Sequence, residues 1–202
     1  MVPEQLAKQP VLTTPEQKKM ISGKTNFLTL IGQPVEHSLS PIMHNAALQE
    51  MDLDWCYLAM PCTDKDLSKV LNGLRAVNCV GINVTIPHKK KAIASCTELT
   101  PLAKRIGAIN TLIPNSKGGW TGTNTDIEGF VKPLQNESWV GKEALVLGCG
   151  GSASAVIAGL EDLQFNKITI IGRNLAKLNK FLSEITEKSA QNTLQNKIQV
   201  LL

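Results

Sequence analysis

The chain has 202 residues, of which 43% are hydrophobic and 19% charged, and its formal net charge is +4. This length and apolar fraction suit one large domain or two small ones, each with a buried core. The basic residues are spread along the chain rather than clustered in a stripe, which argues against a nucleic-acid binder and is compatible with a small anionic ligand. No apolar run approaches the length of a membrane span.

The cysteines are odd in number and contain no C-x-x-C pair. Such usage is typical of a reducing compartment in which cysteines serve mainly as small core residues, so we expect a cytoplasmic protein. Residues 1–26 are polar, contain three prolines and lack an apolar stretch, so we expect a flexible tail without a secretory signal.

The first predicted elements are a buried strand at 27–31 and a helix that begins near Ser40. Ser40 followed by Pro41 is typical of a helix start, with a hydroxyl at the N-cap and proline in the first turn. A stripe of apolar residues is expected to bury one face of this helix. Its members are Ile42, Ala46, Leu48 and Met51.

A second strand at 55–60 is followed by a helix through Val77. Residues 63–66 have the spacing of a capping box, with aspartate in place of the usual glutamate. The predicted buried face of that helix consists of Leu67, Val70, Leu71 and Leu74.

Alternating apolar residues predict a strand at 80–86, which places Asn83 and Thr85 on one face. Pro87 ends it because proline has no N–H for a sheet ladder, and a lysine-rich turn then leads into helical turns through about Arg105. Two interpretations stay open for this stretch. One is an edge strand with a solvated basic helix start; the other is a ligand site at a strand end, where α/β folds place such sites.

Two further strands are predicted at 107–114 and 119–123, joined by a turn at 116–119, and a helix starts near Ile127. Strands and helices alternate along the chain, which predicts an α/β fold with a mostly parallel sheet. The polar stretch 136–142 interrupts this alternation, so we place a domain boundary there.

The segment 144–171 has the pattern of a βαβ unit: a buried strand at 144–147, a glycine turn at 148–153, a helix to about Leu163 and a strand at 167–171. Gly148 permits the tight turn, Gly150 lets backbone N–H groups approach a pyrophosphate, and Ala153 is small enough for close helix–sheet packing. The alternative is a glycine turn in an α/β domain that binds no nucleotide.

The residues after the strand at 167–171 indicate which nucleotide would bind. An NAD-preferring unit carries an acidic residue there for the ribose 2′-hydroxyl. This chain has Arg173 and Asn174, with Lys177 further on, and a cation at that place pairs with a 2′-phosphate, which favours NADP. For Lys177 a solvated loop position is the alternative.

Chemistry-bearing side chains in the first half are hydroxyls, amides, one lysine and one aspartate at strand and helix ends, a set that suits a small polyhydroxylated acid. No metal-ligand spacing appears among the three histidines, and His44 is best interpreted as a packed or surface residue. No nucleophile signature appears either. The polar set is Ser38, Ser40, Asn83, Thr85, Lys89, Asn110, Thr111 and Asp126.

In these motifs the sequence resembles the shikimate/quinate dehydrogenase family. Five segments carry the resemblance, in the family's order and close to its spacing. They are 32–41 (GQPVEHSLSP), 83–89 (NVTIPHK), 107–112 (GAINTL), 122–126 (GTNTD) and the glycine turn 148–153 (GCGGSA).

The resemblance implies NADP-dependent interconversion of 3-dehydroshikimate and shikimate in aromatic amino-acid biosynthesis. It implies that Ser38 and Ser40 hold the substrate carboxylate, and that Lys89 and Asp126 are the catalytic pair. Lys89 is preferred over Lys90 and Lys91 because it matches the motif; the pattern alone does not choose. Hydroxyl-binding residues implied by the family are Asn83, Thr85, Asn110 and Asp126, with Lys89 also at the substrate. Cofactor-binding residues are expected to be Gly148, Cys149, Gly150, Gly151, Ser152, Ala153, Arg173, Asn174 and Lys177.

The resemblance also divides the chain. We expect a tail at 1–26, a substrate-binding domain at 27–136 and an incomplete Rossmann-like NADP-binding domain at 137–202. Family members continue for about a further third of this length, so the chain is expected to be either a fragment or a natural truncation. A broader quinate/shikimate dehydrogenase, or a shikimate-binding fragment without catalysis, stays open.

Two local departures from the family accompany the difference in length. Cys149 replaces the usual alanine in the glycine turn. Gly172, Asn174 and Lys177 replace the usual residues after the next strand, which leaves Arg173 for phosphate recognition. A third strand at 198–202 would leave an exposed edge and apolar face, from which we expect poor activity and aggregation of the isolated chain. A homodimer is compatible with the sequence.

Overall fold

A computed structural model describes residues 20–188 and 198–201. Most of the predicted tail, residues 1–19, and Leu202 of the predicted last strand therefore lie outside the described residues. The described part contains two β-sheets with helices packed on them, which confirms the mixed α/β architecture. None of its helices combines the length and the apolar character that crossing a bilayer requires.

The first sheet has six strands in the order β2-β1-β3-β5-β6-β4. The pairs β1–β2, β1–β3 and β4–β6 are parallel, whereas β5 runs antiparallel to both β3 and β6. The predicted hairpin is therefore present, in an otherwise parallel arrangement. The strands are β1 (Asn26–Gly32), β2 (Trp55–Pro61), β3 (Gly81–Val84), β4 (Glu98–Leu99), β5 (Thr111–Pro114) and β6 (Trp120–Thr123).

The helices of this first half are α1 (Ser40–Glu50), α2 (Leu67–Ala76), α3 (Pro101–Ile106) and α4 (Asp126–Val131). The predicted apolar face of α2 is confirmed. Its leucines lie in the main core, beside the fully buried ring of Trp120 and the strand residues Ile82 and Val84.

Two predictions about α1 are wrong. Its N-cap is Leu39, without a side-chain hydrogen bond, and Ser40 is the first helical residue, while Pro41 does lie in the first turn. The expected apolar stripe is not buried either, because Leu48 is buried on this helix whereas Ile42 and Met51 are about 70% exposed (72% and 66%). Leu48 packs on the opposite face of the sheet from α2, in a small cluster with Leu30, Val35 and Tyr57.

β3 is shorter than predicted, because it ends at Val84 rather than Ile86. Thr85 and Ile86 keep hydrogen bonds on the β1 side, Thr85 N–H to Ile31 O and Gln33 N–H to Ile86 O, but they have no register with β5. The predicted helical turns through about Arg105 are present, but a short strand interrupts them. A 3₁₀ turn (Lys91–Ser95) and the short strand β4 come first, and only then α3.

The two ends of α3 are set by the residues that cap it. The Thr100 hydroxyl accepts a hydrogen bond from the Ala103 N–H at 3.2 Å, and Pro101 occupies the first turn. Gly107 ends the helix in the left-handed conformation, with φ of 69°. That conformation carries no steric cost for glycine, so the chain turns back toward β5.

The second sheet has three parallel strands in the order β7-β8-β9, with β7 (Glu143–Leu147), β8 (Lys167–Ile171) and β9 (Ile198–Leu201). α5 (Ala153–Asp162) and α6 (Leu175–Lys188) cover one face and form a second core. The prediction that β7 is buried is wrong, since Leu145 is 61% and Leu147 78% exposed. Described residues cover only the face of β7 that carries Ala144 and Val146.

The two sheets are joined through packed helices. One small apolar cluster consists of Ile106 at the end of α3, Ala108 just after that helix, Ile127 of α4, and Ala155 and Ala158 of α5. A charged group borders it: the Arg105 guanidinium donates hydrogen bonds to both Glu161 and Asp162 and to the Ala158 carbonyl.

Candidate active site

The Lys89 ammonium lies 2.6 Å from the Asp126 carboxylate. Lys89 follows β3 in the turn after Pro87, and its backbone carbonyl accepts from the Ile109 N–H at 2.8 Å, which holds the turn against the chain before β5. Asp126 is the first residue of α4. The lysine side chain is only 12% exposed, so the pair is shielded from water on most sides. The predicted proximity of these two charges is confirmed.

The structure distinguishes the three consecutive lysines by their partners, which the sequence pattern could not do. Lys90 forms an ion pair with Glu184 of α6, and Lys91 pairs with Asp64 before α2. Lys91 and the neighbouring His88 hold the pKa of the Asp64 carboxyl below its usual value. Of the three ammonium groups, that of Lys89 is the one beside Asp126.

A network of amide and hydroxyl groups holds Asp126 from the other side. The Asn110 side-chain amide donates to Asp126 Oδ1 at 2.7 Å and to Thr125 Oγ1 at 2.9 Å. Its oxygen in turn accepts from the Thr111 hydroxyl at 2.9 Å and the Thr125 N–H at 3.0 Å. The predicted residues Asn110, Thr111 and Asp126 are thus brought together, with one carboxylate oxygen facing Asn110 and the other facing Lys89.

Asn124 is a residue to which sequence reasoning assigned no role. It is buried, its side-chain oxygen accepts from the Asp126 N–H at 2.9 Å, and its amide nitrogen donates to the Ala108 carbonyl at 3.0 Å. Asn124 therefore fixes the start of α4, and with it the position of Asp126. The signal was present, since asparagine two residues before a helix commonly bonds backbone N–H groups.

Asn83 lies next to this network. Its amide nitrogen donates to Thr111 Oγ1 at 3.3 Å and to the Asn110 carbonyl at 3.4 Å, and its oxygen accepts from the Tyr57 hydroxyl at 2.8 Å. Tyr57, which sequence reasoning also missed, is buried and stacked on His44 at 4.3 Å between ring centroids. This contact agrees with the interpretation of His44 as a packed histidine. Burial raises the pKa of Tyr57 to about 12.

The predicted carboxylate-binding serines are close to each other but are not linked to this network. The Ser38 hydroxyl accepts from the Ser40 N–H at 3.2 Å, and both residues are half-buried at the start of α1. Thr85 is half-buried as well, with its methyl group against Gly32. In the described part of the chain no hydrogen bond joins Ser38, Ser40 or Thr85 to Lys89 or Asp126.

The glycine turn has the backbone and the open space that a pyrophosphate would need. Gly148 has φ of 97°, a conformation that favours glycine, and a side-chain carbon added at Gly148 or Gly150 would meet nothing within 4 Å. The turn leads into the ten-residue helix α5, whose N-terminal N–H groups favour anions. These residues therefore fit a dinucleotide phosphate.

The same turn touches the candidate catalytic lysine. The Lys89 ammonium donates to the Ser152 hydroxyl at 3.3 Å, and the Lys89 side chain lies 3.7 Å from a carbon added at Gly151. Cys149 is half-buried and packs on the core of the second sheet. The two halves of the predicted site are thus in direct contact through Lys89.

The predicted phosphate-recognition residues follow β8. Arg173 and Lys177 are exposed, and no ion pair involves either of them within the described residues. Asn174 has a local role: its side-chain oxygen accepts from the Lys177 N–H at 2.9 Å and so caps the first turn of α6. Of the three, Asn174 has its side-chain oxygen engaged, whereas the cationic side chains of Arg173 and Lys177 form no ion pair in the described part.

His88 is fully buried behind the lysines. Its Nε2 donates to the Cys62 carbonyl at 2.7 Å, because a carbonyl oxygen can only accept. Its Nδ1 lies 3.0 Å from Asp64 Oδ1 but without hydrogen-bonding geometry. His88 therefore anchors the turn that carries Lys89 to the end of β2.

Comparison with known proteins shows what the chain is similar to. Residues 30–112 match the family described as the shikimate dehydrogenase substrate binding domain. A shikimate dehydrogenase (NADP(+)) of Prochlorococcus marinus (strain MIT 9301) is 52% identical over 163 residues, which cover 81% of this chain and 57% of the relative. The chain is thus similar to shikimate dehydrogenases over most of its own length.

Solved structures of the shikimate dehydrogenase family agree with the fold. The enzyme from Aquifex aeolicus superposes with a TM-score of 0.78 at 34% identity, over 91% of this chain and 65% of that one. The enzyme from Thermus thermophilus, solved with NADP(H) and shikimate, gives 0.72 at 30% identity, over 88% and 63%. The chain thus spans about three fifths of the length of these relatives.

Proposed function

We propose that the chain takes part in the reversible reduction of 3-dehydroshikimate to shikimate with NADPH, a step of aromatic amino-acid biosynthesis. The observation that carries the proposal is the position of Lys89. Its ammonium lies 2.6 Å from Asp126 on the first sheet's side and 3.3 Å from Ser152 in the glycine turn of the second. A proton donor that lies between a polar hydrogen-bond network and a glycine turn suited to a dinucleotide phosphate is placed as ketone reduction requires.

In this proposal NADPH supplies a hydride to the substrate ketone when it is bound. Lys89 donates a proton to the oxygen on which negative charge develops, and its charge stabilises that oxygen in the transition state. Asp126 holds the ammonium in place and accepts from a substrate hydroxyl. Asn110, fixed by Thr111 and Thr125, keeps the carboxylate oriented toward both.

The remaining predicted residues are proposed to bind rather than to react. Ser38 and Ser40 would hold the substrate carboxylate, and Asn83 and Thr85 would bind its hydroxyls. The backbone of 148–153 would hold the pyrophosphate, with open space at Gly148 and Gly150 to admit it. Arg173 would pair with the 2′-phosphate, with a lesser contribution from Asn174 and Lys177.

The organisation of the chain belongs to the same proposal. We assign substrate binding to residues 27–136 and partial cofactor binding to 137–202. We also propose a cytoplasmic location, in line with the cysteine usage, and a homodimer as the assembly to test by sedimentation. Broader activity toward quinate is an alternative that depends on the pocket around Ser38 and Ser40.

The test combines turnover and binding. Turnover of shikimate with NADP should fall about 10²–10⁴-fold in Lys89→Ala with little change in KM, because a general acid/base is lost. Lys117→Ala is the control, since Lys117 pairs with Glu98 at the far side of the first sheet. Equal turnover in Lys89→Ala and the parent chain would overturn the mechanism.

Calorimetry with shikimate and with NADP separates the remaining alternatives. Binding of shikimate without turnover by the parent chain would identify a binding fragment rather than an enzyme. Steady-state kinetics with both dinucleotides test the cofactor, and a preference for NAD over NADP would contradict the role given to Arg173.

A further inference from the structure

Lys90, next to the candidate catalytic lysine, is attached to the other half of the molecule. Its ammonium forms an ion pair with Glu184 of α6 and lies 5.9 Å from the centre of the Phe181 ring. Phe181 and Glu184 are three residues apart on α6, so they lie on one face of that helix. Lys90 belongs to the turn after β3 of the first sheet, whereas α6 packs on the second sheet.

The partners of the three lysines differ in kind. Lys91 pairs with Asp64, a residue of the first half, whereas Lys89 and Lys90 both reach the second half. They do so at two separate elements, the glycine turn through Ser152 and α6 through Glu184. The turn at 87–90 thus contacts the second half at Lys89 itself and at the next residue, Lys90.

The contact of Lys90 with α6 is suited to fixing the position of the turn at 87–90 rather than to stabilising the whole fold. Lys90 and Glu184 keep 44% and 29% of their side-chain surface exposed, so their attraction is screened by water. The Phe181 ring is only 3% exposed and fixed in the second core, which gives the ammonium a rigid second partner. Such a contact can set where the turn rests while adding little to the free energy of folding.

We propose that Lys90 and Glu184 are positioning residues: by holding the turn at 87–90 against α6, they keep the Lys89 ammonium between Asp126 and Ser152. The consequence for catalysis rests on the function proposed above, whereas the consequence for the position of Lys89 does not. Neither residue touches the reacting atoms in this proposal.

The first experiment measures the accessibility of the Lys89 amine without any assay of activity. The full chain is treated with a limiting amount of an amine-acetylating ester, and acetylation at Lys89 is quantified by mass spectrometry. In Lys90→Gln and in Glu184→Gln we expect a rise of about two- to five-fold, the range that a partly exposed ion pair supports. The double variant should rise no further than either single variant.

Two controls accompany this labelling. Lys117→Gln removes an ion pair with Glu98 that lies wholly within the first half, and it should leave Lys89 labelling unchanged. Lys90→Arg keeps the charge and should label like the parent chain, which would show that loss of the charge, rather than any substitution at this position, raises the labelling. Unchanged labelling in both glutamine variants, or additive effects in the double variant, would overturn the proposal.

The second experiment measures the effect of the same two substitutions on turnover. Lys90→Gln and Glu184→Gln should each lower kcat with shikimate and NADP by a similar two- to five-fold factor, about that of a partly exposed pair, and leave the KM for shikimate unchanged. A parent chain without turnover would refute the proposed function, and the labelling result would still decide the positioning role. A raised KM at constant kcat would contradict positioning of Lys89.

Discussion

Tyr57 shows how one buried hydroxyl sets the direction of a polar side chain in the site. Because its O–H donates to Asn83 Oδ1 at 2.8 Å, the Asn83 amide nitrogen is left to face Thr111 and the Asn110 carbonyl. The orientation of the Asn83 amide therefore depends on the Tyr57 hydroxyl keeping its proton. Burial raises the pKa of this phenol to about 12, so it stays protonated throughout the neutral range.

Titration of Tyr57 tests its burial and its raised pKa directly, because the sequence contains one tyrosine. Tyrosinate absorbance should appear near pH 12 in the folded chain and near the ordinary value of 10.0 in urea. The unfolded chain loses its proton first, so this group stabilises the fold fully below pH 10 and loses that contribution as pH rises toward 12. Ionisation near pH 10 in the native chain would show that Tyr57 is not buried as described.

At the residue scale the sequence predicted that a lysine lies beside Asp126, but the local pattern did not decide which lysine. The motif placed Lys89 near Asp126 correctly, yet Lys90 and Lys91 fit the local pattern equally well. Their partners, Glu184 and Asp64, are distant in sequence, so no local rule could assign them. Tyr57 was missed for a related reason: an aromatic residue in a strand has the same pattern whether its hydroxyl is used or not.

Among the elements, the contact between α4 and α5 depends on one glycine. A side-chain carbon at Gly159 would lie 2.8 Å from a ring carbon of Phe130 and 2.9 Å from a methyl carbon of Val131. Both distances are shorter than carbon atoms allow without movement. Gly159 thus lets α5 approach α4 closely, beside the apolar cluster that joins the two sheets.

Alanine substitution should therefore have opposite effects at two helical glycines. At Gly73 of α2 an added carbon meets nothing within 4 Å, so Gly73→Ala should stabilise the chain by about 0.5–1 kcal/mol through helix propensity. At Gly159 the same gain is offset by overpacking of about 1–3 kcal/mol, so the net change should be destabilising. Urea unfolding of both variants measures this, and stabilisation by Gly159→Ala would show that α4 moves freely.

The prediction of elements succeeded where apolar periodicity decided it. The capping box expected at 63–66 is wrong, because the N-cap of α2 is Asp66, without a side-chain hydrogen bond. The buried face of α2 and the hairpin of β5 and β6 follow directly from apolar spacing and a turn. It failed at α1, where a serine–proline pair was expected to cap the helix but Leu39 occupies that position. It also failed at β7, since a run of apolar residues does not reveal whether both faces of a strand are covered.

In the described part of the molecule the two sheets have separate cores and meet at a small junction. The first sheet packs helices on both faces, with α2 on one and α1 on the other. Between the sheets lie the small cluster at α3, α4 and α5, the Arg105 ion pairs and the contacts of Lys89 and Lys90. The division into two units with a site between them stays a prediction from the sequence, which did not indicate that neighbouring lysines would bridge the two sheets.

The second sheet leaves an apolar face that the described residues do not cover. Leu145, Leu147 and Leu201 are 61%, 78% and 42% exposed on it, and such a face promotes association.

Replacing Leu145 and Leu201 with threonine should lower concentration-dependent light scattering, because threonine suits an exposed strand position. The free energy of unfolding should stay within about 0.5 kcal/mol of the parent value, since neither side chain is buried. Leu58→Thr, at a 42% exposed leucine of the first sheet, should leave scattering unchanged. Equal scattering by the double variant and the parent chain would place the associating surface elsewhere.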